Sequence, residues 1–107
     1  MKKYIGILLL GAFSLPVNAG YVVYNATITA IESNVSNNQD KFVLHMEGGT
    51  GDCATRVEFP IDASVSADAH KRTYSAALTA LTTGLTVNVH NYEGNNCERA
   101  SLIRIMK

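Results

Sequence analysis

The sequence predicts a mostly β domain with one helix. Five strands and a helix in the order β-β-β-α-β-β are rolled into a small Greek-key barrel and stitched by one disulfide. Three observations predict it. Apolar and polar residues alternate in five short stretches, the period-two signature of half-buried strands. Between the third and fourth of these stretches the apolar spacing changes to the three and four residues of a helix. The two cysteines, Cys53 and Cys97, stand just before the third and the fifth stretch.

The first nineteen residues read differently. Lys2 and Lys3 precede an apolar run from Tyr4 to Ala12, and Val17-Asn18-Ala19 supplies small residues before a cut between Ala19 and Gly20. This is the layout of a secretory signal peptide. The run is too short for a bilayer core of about 30 Å, which takes roughly 20 residues. The expectation is therefore a signal peptide over 1–19 and a single domain over 20–107. That domain is exported, periplasmic or secreted, with no membrane insertion after cleavage.

The 88 residues after the cut carry seven Lys and Arg against nine Asp and Glu. A net charge of −2 argues against nucleic acid or an anionic membrane as the main partner. A chain this short buries only roughly 60–65% of its unfolded surface and is marginally stable.

Taken in order, Val22, Tyr24, Ala26, Ile28 and Ala30 alternate with Asn25, Thr27 and Thr29, predicting a long first strand. Ile31 carries the apolar character onto the wrong parity, so a bulge or sharp bend is expected there. Ser33 to Asp40 is polar and reads as a loop. Phe42, Leu44 and Met46 face inward on a second strand, with Val43, His45 and Glu47 outward. Gly48-Gly49-Thr50-Gly51-Asp52 reads as a flexible turn. On the third strand Val57, Phe59 and Ile61 face inward and Arg56 and Glu58 outward; Pro60, having no N–H, marks its end or an unpaired edge.

The helix follows. Tyr74, Ala77, Leu78 and Leu81 form an apolar stripe, Ser64 or Ser66 serves as N-cap, and Asp68 suits the positive end of the dipole. Gly84 stands where a left-handed residue ends a helix. Leu85, Val87 and Val89 then face inward on a fourth strand. Glu93-Gly94-Asn95-Asn96 is a turn, and Ser101, Ile103 and Ile105 alternate with Leu102, Arg104 and Met106 in a fifth strand.

Three strands, a helix and two strands are the order of the OB-fold, a five-stranded Greek-key barrel. In that barrel the third and fifth strands are parallel neighbours, so their starts lie together. An oxidising compartment favours a bridge between Cys53 and Cys97, and such a bridge would tie this closing seam. The alternative is an open antiparallel sheet with the helix on one face.

The stretch from Ser66 to Val89, with Lys71, Tyr74, Leu78 and Leu81 on the helix and Gly84-x-x-Val87-x-Val89 after it, carries a resemblance. Together with the signal peptide and the cysteine placement it resembles small secreted OB-fold proteins related to the B subunits of bacterial AB-type toxins, the subtilase-type cytotoxin B subunit especially. The resemblance covers about a quarter of the mature chain. It implies assembly into a ring and recognition of cell-surface sugars, and it carries over no sugar-binding residue.

Motifs for catalysis are absent. There is no G-x-S-x-G, no G-x-G-x-x-G and no Walker loop. Glu47 and Glu58 could face each other across the second and third strands, but on an exposed sheet they more naturally balance Lys41 and Arg56. His45, His70 and His90 show no H-x-x-x-H spacing and read as solvent-facing imidazoles; no metal or other cofactor is expected. An enzyme is not predicted.

Binding is expected instead, on the outer face of the second and third strands, the usual ligand surface of an OB-fold. That face offers Val43, His45, Glu47, Arg56 and Glu58, a polar set without an aromatic platform for bases. Two functions follow from this. One is an exported non-catalytic module recognising a glycan or protein surface, with a homo-oligomeric ring as an open option. The other is a periplasmic structural or stress-related protein acting through protein contacts.

Overall fold

A computed structural model describes residues 20–36 and 39–107, with side chains omitted at 34–36 and 39. The predicted signal peptide, 1–19, lies outside the described residues.

The chain forms strands β1 (Gly20–Ser36), β2 (Gln39–Glu47) and β3 (Arg56–Pro60), a 3-10 turn at Ile61–Ala63, helix α1 (Ala67–Thr83), and strands β4 (Thr86–Asn91) and β5 (Leu102–Met106). All neighbours in the five-stranded sheet are antiparallel, in the order β3-β2-β1-β4-β5. The central strand serves two partners: β1 pairs with β4 over Gly20–Thr27 and with β2 over Thr27–Ser36.

The expected closed barrel is not formed by strand pairing. The edges β3 and β5 share no ladder. The chain just before β5 meets β3 through two hydrogen bonds only: Glu58 N–H donates to the Cys97 carbonyl at 2.8 Å, and Ala100 N–H to the Glu58 carbonyl at 3.1 Å. The reason is length. β3 has five residues and ends at Pro60, which cannot donate, and the chain then turns through Ile61–Ala63. Ile61, expected inward on β3, accordingly sits in that 3-10 turn.

The disulfide is present. Cys53 and Cys97 are bridged with their Cα atoms 5.5 Å apart.

The Ser33–Asp40 stretch is not a loop. β1 continues to Ser36 and β2 begins at Gln39, with Ser36 opposite Gln39, so polar residues extend the hairpin instead of interrupting it. The bulge expected at Ile31 lies one step earlier, between Ile28 and Ala30. It restores the parity that lets Ile31 pack against the core and leaves Ala30 exposed, against expectation. A second pair of register shifts, between Tyr21 and Ala26 on the β4 side, places Val22 and Val23 both inward. Tyr24, expected inward, therefore faces out at 42% exposure.

Gly48–Asp52 is not a free turn either. Tyr24 and Thr50 exchange two backbone hydrogen bonds of 2.8 and 3.0 Å, and Cys53 N–H donates to the Val22 carbonyl at 2.9 Å. The glycines permit this approach. A Cβ on Gly49 would stand 2.6 Å from the Ala26 Cβ, and one on Gly51, at φ +110, would stand 2.5 Å from the Val22 oxygen.

Helix α1 is rich in alanine, the best helix former. Of the two candidate caps it uses Ser66, whose Oγ accepts from Ala69 N–H at 3.0 Å, and it stops at Gly84 in the left-handed region. Its inward stripe is His70, Tyr74, Ala77, Ala80 and Leu81. Leu78 falls outside it and is exposed, because the fully buried small residues Ala77 and Ala80 turn that face to the sheet. Phe42 stacks on Phe59 with centroids 4.6 Å apart, and Tyr74 meets Phe42 edge-on at 5.1 Å.

Candidate functional site

The outer face of β2 and β3 brings four of the five expected residues together. His45 lies opposite Arg56, and Val43 opposite Glu58. Glu47 is apart. It pairs with Thr27 of β1 beyond the end of the β3 ladder, so the considered Glu47–Glu58 carboxylate pair is not formed. Val43 offers no contact surface: it lies between Glu32 and Glu58 in the register and is 1% exposed.

The charged members of this face satisfy one another. Glu58 accepts from Lys41 Nζ at 3.0 Å and from Arg56 Nη1 at 2.8 Å, and His45 Nε2–H donates to Glu32 at 2.6 Å. Burial pushes the Glu58 carboxyl up, but the hydrogen bonds and charges of Lys41 and Arg56 outweigh it and leave the carboxyl below its ordinary value. A self-paired charge ladder on a sheet holds strands in register. It leaves few free donors for a ligand.

The three histidines, expected in solvent, differ. His45 is half-exposed, hydrogen-bonded to Glu32. His70 is buried, because α1 turns it onto the sheet, where its Nε2–H donates to the Phe59 carbonyl at 2.8 Å. His90 is half-buried between two tyrosines. Among the described residues no group of three His, Cys, Asp or Glu side chains converges for a metal.

His90 belongs to a second surface, which the pattern of strands did not reveal. On the outer side of β1 and β4, Tyr24, Tyr21, His90 and Tyr92 form a continuous row. Ring centroids are 5.8 Å apart for Tyr24–Tyr21, 4.9 Å for Tyr21–His90 and 4.3 Å for His90–Tyr92. Tyr92 is 63% exposed. His90 lies on β4, and Tyr92 follows directly after the strand's last residue, Asn91, with its ring against that of His90.

Tyr21 and Tyr24 are three apart and would oppose each other on a regular strand. The register shifts between Tyr21 and Ala26 bring both outward. Asn25 takes the left-handed conformation, φ +56, that completes the shift, and its N–H donates to Asn88 Oδ1 of β4 at 2.9 Å. The His90 Nδ1 is buried with no hydrogen-bond partner among the described residues.

This row presents flat apolar rings carrying phenolic hydroxyls, next to the amide side chains Asn25 and Asn88. Such rings contribute large contact area and a polar tip together. Two exposed tyrosines, in a Y-x-x-Y of the first strand and an H-x-Y running out of the end of the fourth, were the available signal.

No curated protein and no solved structure matches the chain. Over residues 3–107 the sequence matches a family described as Family of unknown function (DUF5992), and the chain belongs to that family.

Proposed function

We propose that the chain is an exported, non-catalytic binding module of OB-like topology that recognises a glycan or protein surface. The strand order β3-β2-β1-β4-β5 supports the OB-like reading, since it is the order of that barrel cut between its third and fifth strands. The disulfide at this seam and the two backbone hydrogen bonds that Glu58 makes, one donated and one accepted, support it further. The resemblance of Ser66–Val89 to toxin B subunits points the same way.

The observation that carries the binding reading is the exposed row Tyr24–Tyr21–His90–Tyr92. A row of tilted and edge-on rings with hydroxyl tips and adjacent amides favours the C–H face and hydroxyls of a sugar, and it equally suits a protein epitope, where tyrosine is enriched. The self-paired β2–β3 face is the weaker surface.

A glycan array probed with the mature protein tests this, alongside Tyr24→Ala and Tyr92→Ala. Hits that both variants weaken more than about tenfold, the scale of losing a buried aromatic anchor, are expected. An empty array removes the glycan half of the reading. Hits indifferent to both variants remove the aromatic face.

A further inference from the structure

We propose that the cleft between α1 and β5 is a binding site for an extended acidic peptide segment of another protein, which adds a strand to the free edge of β5. This goes beyond the aromatic face and shares only Tyr92 with it.

The sheet ends at β5. Its one ladder partner is β4, so the other edge of Leu102–Met106 has no strand beside it among the described residues. In an antiparallel ladder every second residue of such an edge turns its N–H and C=O away from the sheet. Proteins blunt these edges with short strands, charges or a covering element. Here the edge is Leu-Ile-Arg-Ile-Met, with Arg104 its single charge. It borders a cleft of about 460 Å³ instead of a packed cover.

One wall of that cleft is Ala69, Arg72, Thr73 and Ala76 of α1, and the other is Ser101, Leu102 and Ile103. Val65 and Tyr92 stand at its rim, 95% and 63% exposed, the two most exposed large apolar side chains among the described residues. An edge strand with apolar pockets alongside is the arrangement that captures a peptide by β-augmentation: the backbone supplies affinity and alternate side chains supply specificity.

Charge selects the occupant. Among the described residues no carboxylate lines the cleft. Arg72 in its wall and Arg104 on the strand are both exposed, and neither has an ion-pair partner among the described residues. Asp68, one turn before Arg72, does not line the cleft. A second copy of this chain, paired edge to edge about Arg104, would set like charges together. An acidic strand with carboxylates on both of its faces instead meets Arg72 from the side turned to the cleft and Arg104, opposite Asn88, from the other side of the sheet, and its apolar residues on the cleft side fill the pockets.

The test uses two synthetic peptides, one of Glu-Glu-Val-Val repeats and one of Lys-Lys-Val-Val repeats, each carrying charge on both faces of a strand, titrated into the ¹⁵N-labelled mature protein. The acidic peptide should shift the amides of Val65, Arg72, Thr73 and Ser101–Met106 saturably, and the basic one should not. On binding, every second amide of β5 should pass from fast to slow hydrogen exchange. Arg72→Glu with Arg104→Glu, both surface changes, should weaken the acidic peptide by about tenfold and admit the basic one. Tyr24→Ala should change neither, which separates failure here from failure of the aromatic face. Three results would overturn the proposal: no saturable binding of the acidic peptide, shifts elsewhere on the sheet, or dimerisation through β5 in light scattering.

Discussion

Removing the Cys53–Cys97 bridge is the perturbation whose cost follows most directly from the structure. The two residues are 44 apart in sequence. A cross-link over that span removes loop-closure entropy from the unfolded chain worth about 4 kcal/mol at 25 °C. A domain of this size has roughly 5–10 kcal/mol in total. At about 4–8 °C per kcal/mol for a small domain, the melting temperature should fall by roughly 15–30 °C. The folded state adds its own share, because Cys53 is buried and its N–H is bonded to β1.

Thermal unfolding followed by circular dichroism would compare Cys53→Ala, Cys97→Ala, the double variant and the reduced wild type. Either single change already opens the loop, so the double variant should melt within a few degrees of the worse single, and reduction should bring the wild type there too. A fall of less than about 5 °C would mean that the entropy of the long loop is not what the bridge removes. A double variant far below both singles would show two independent packing roles in place of one cross-link.

Two further outcomes are expected. Gly51→Ala should cost roughly 1–3 kcal/mol in backbone strain, with the clash against the Val22 carbonyl adding to it, while Gly48→Ala, whose added Cβ meets nothing, should cost strain alone; equal shifts in urea midpoint for the two would sink the docked-loop account. The Glu58 carboxyl sits below the ordinary carboxylate value of 4.5, so its pairing with Lys41 and Arg56 stabilises the fold above that value and is lost as pH falls through the folded one. Glu58→Gln should therefore be less stable than wild type at neutral pH and converge with it in acid, and a difference that stays constant from pH 7 to pH 3 contradicts the linkage.

What was legible in the sequence divides along the range of the forces involved. The helix, its Ser66 cap and its Gly84 stop are local, and residues within one turn decide them. The strand β4 shows clean alternation because only one of its faces is fully buried. The cysteine pair was readable because the compartment expected for an exported chain and the strand starts pointed to the same bridge.

β1 was misread where its partners change. Its two halves bond to different strands; the parity break at Ile31 announced the bulge on the β2 side, but no periodicity within β1 encodes the shifts on the β4 side that move Tyr24 outward. The barrel was overdrawn for a similar reason. The alternation ending at Ile61 hides that Pro60 stops β3 before it can run beside β5. The aromatic row stayed invisible because its members come from opposite ends of the domain and meet only through register.

The divided pairing of β1 also orders the events of folding. Its second half meets β2 in a ladder that runs to the Ser36–Gln39 pair, a contact between near neighbours in the chain. Its first half must wait for β4, because Gly20 pairs with Asn91 and Tyr21 with His90, some seventy positions away. Contacts that close long loops are the slow ones. Tyr21 and His90 are therefore joined only when the C-terminal hairpin docks, and a chain halted before that step would present none of the aromatic row. Recognition through those rings would then act as a certificate of completed folding, withheld from every partly assembled molecule.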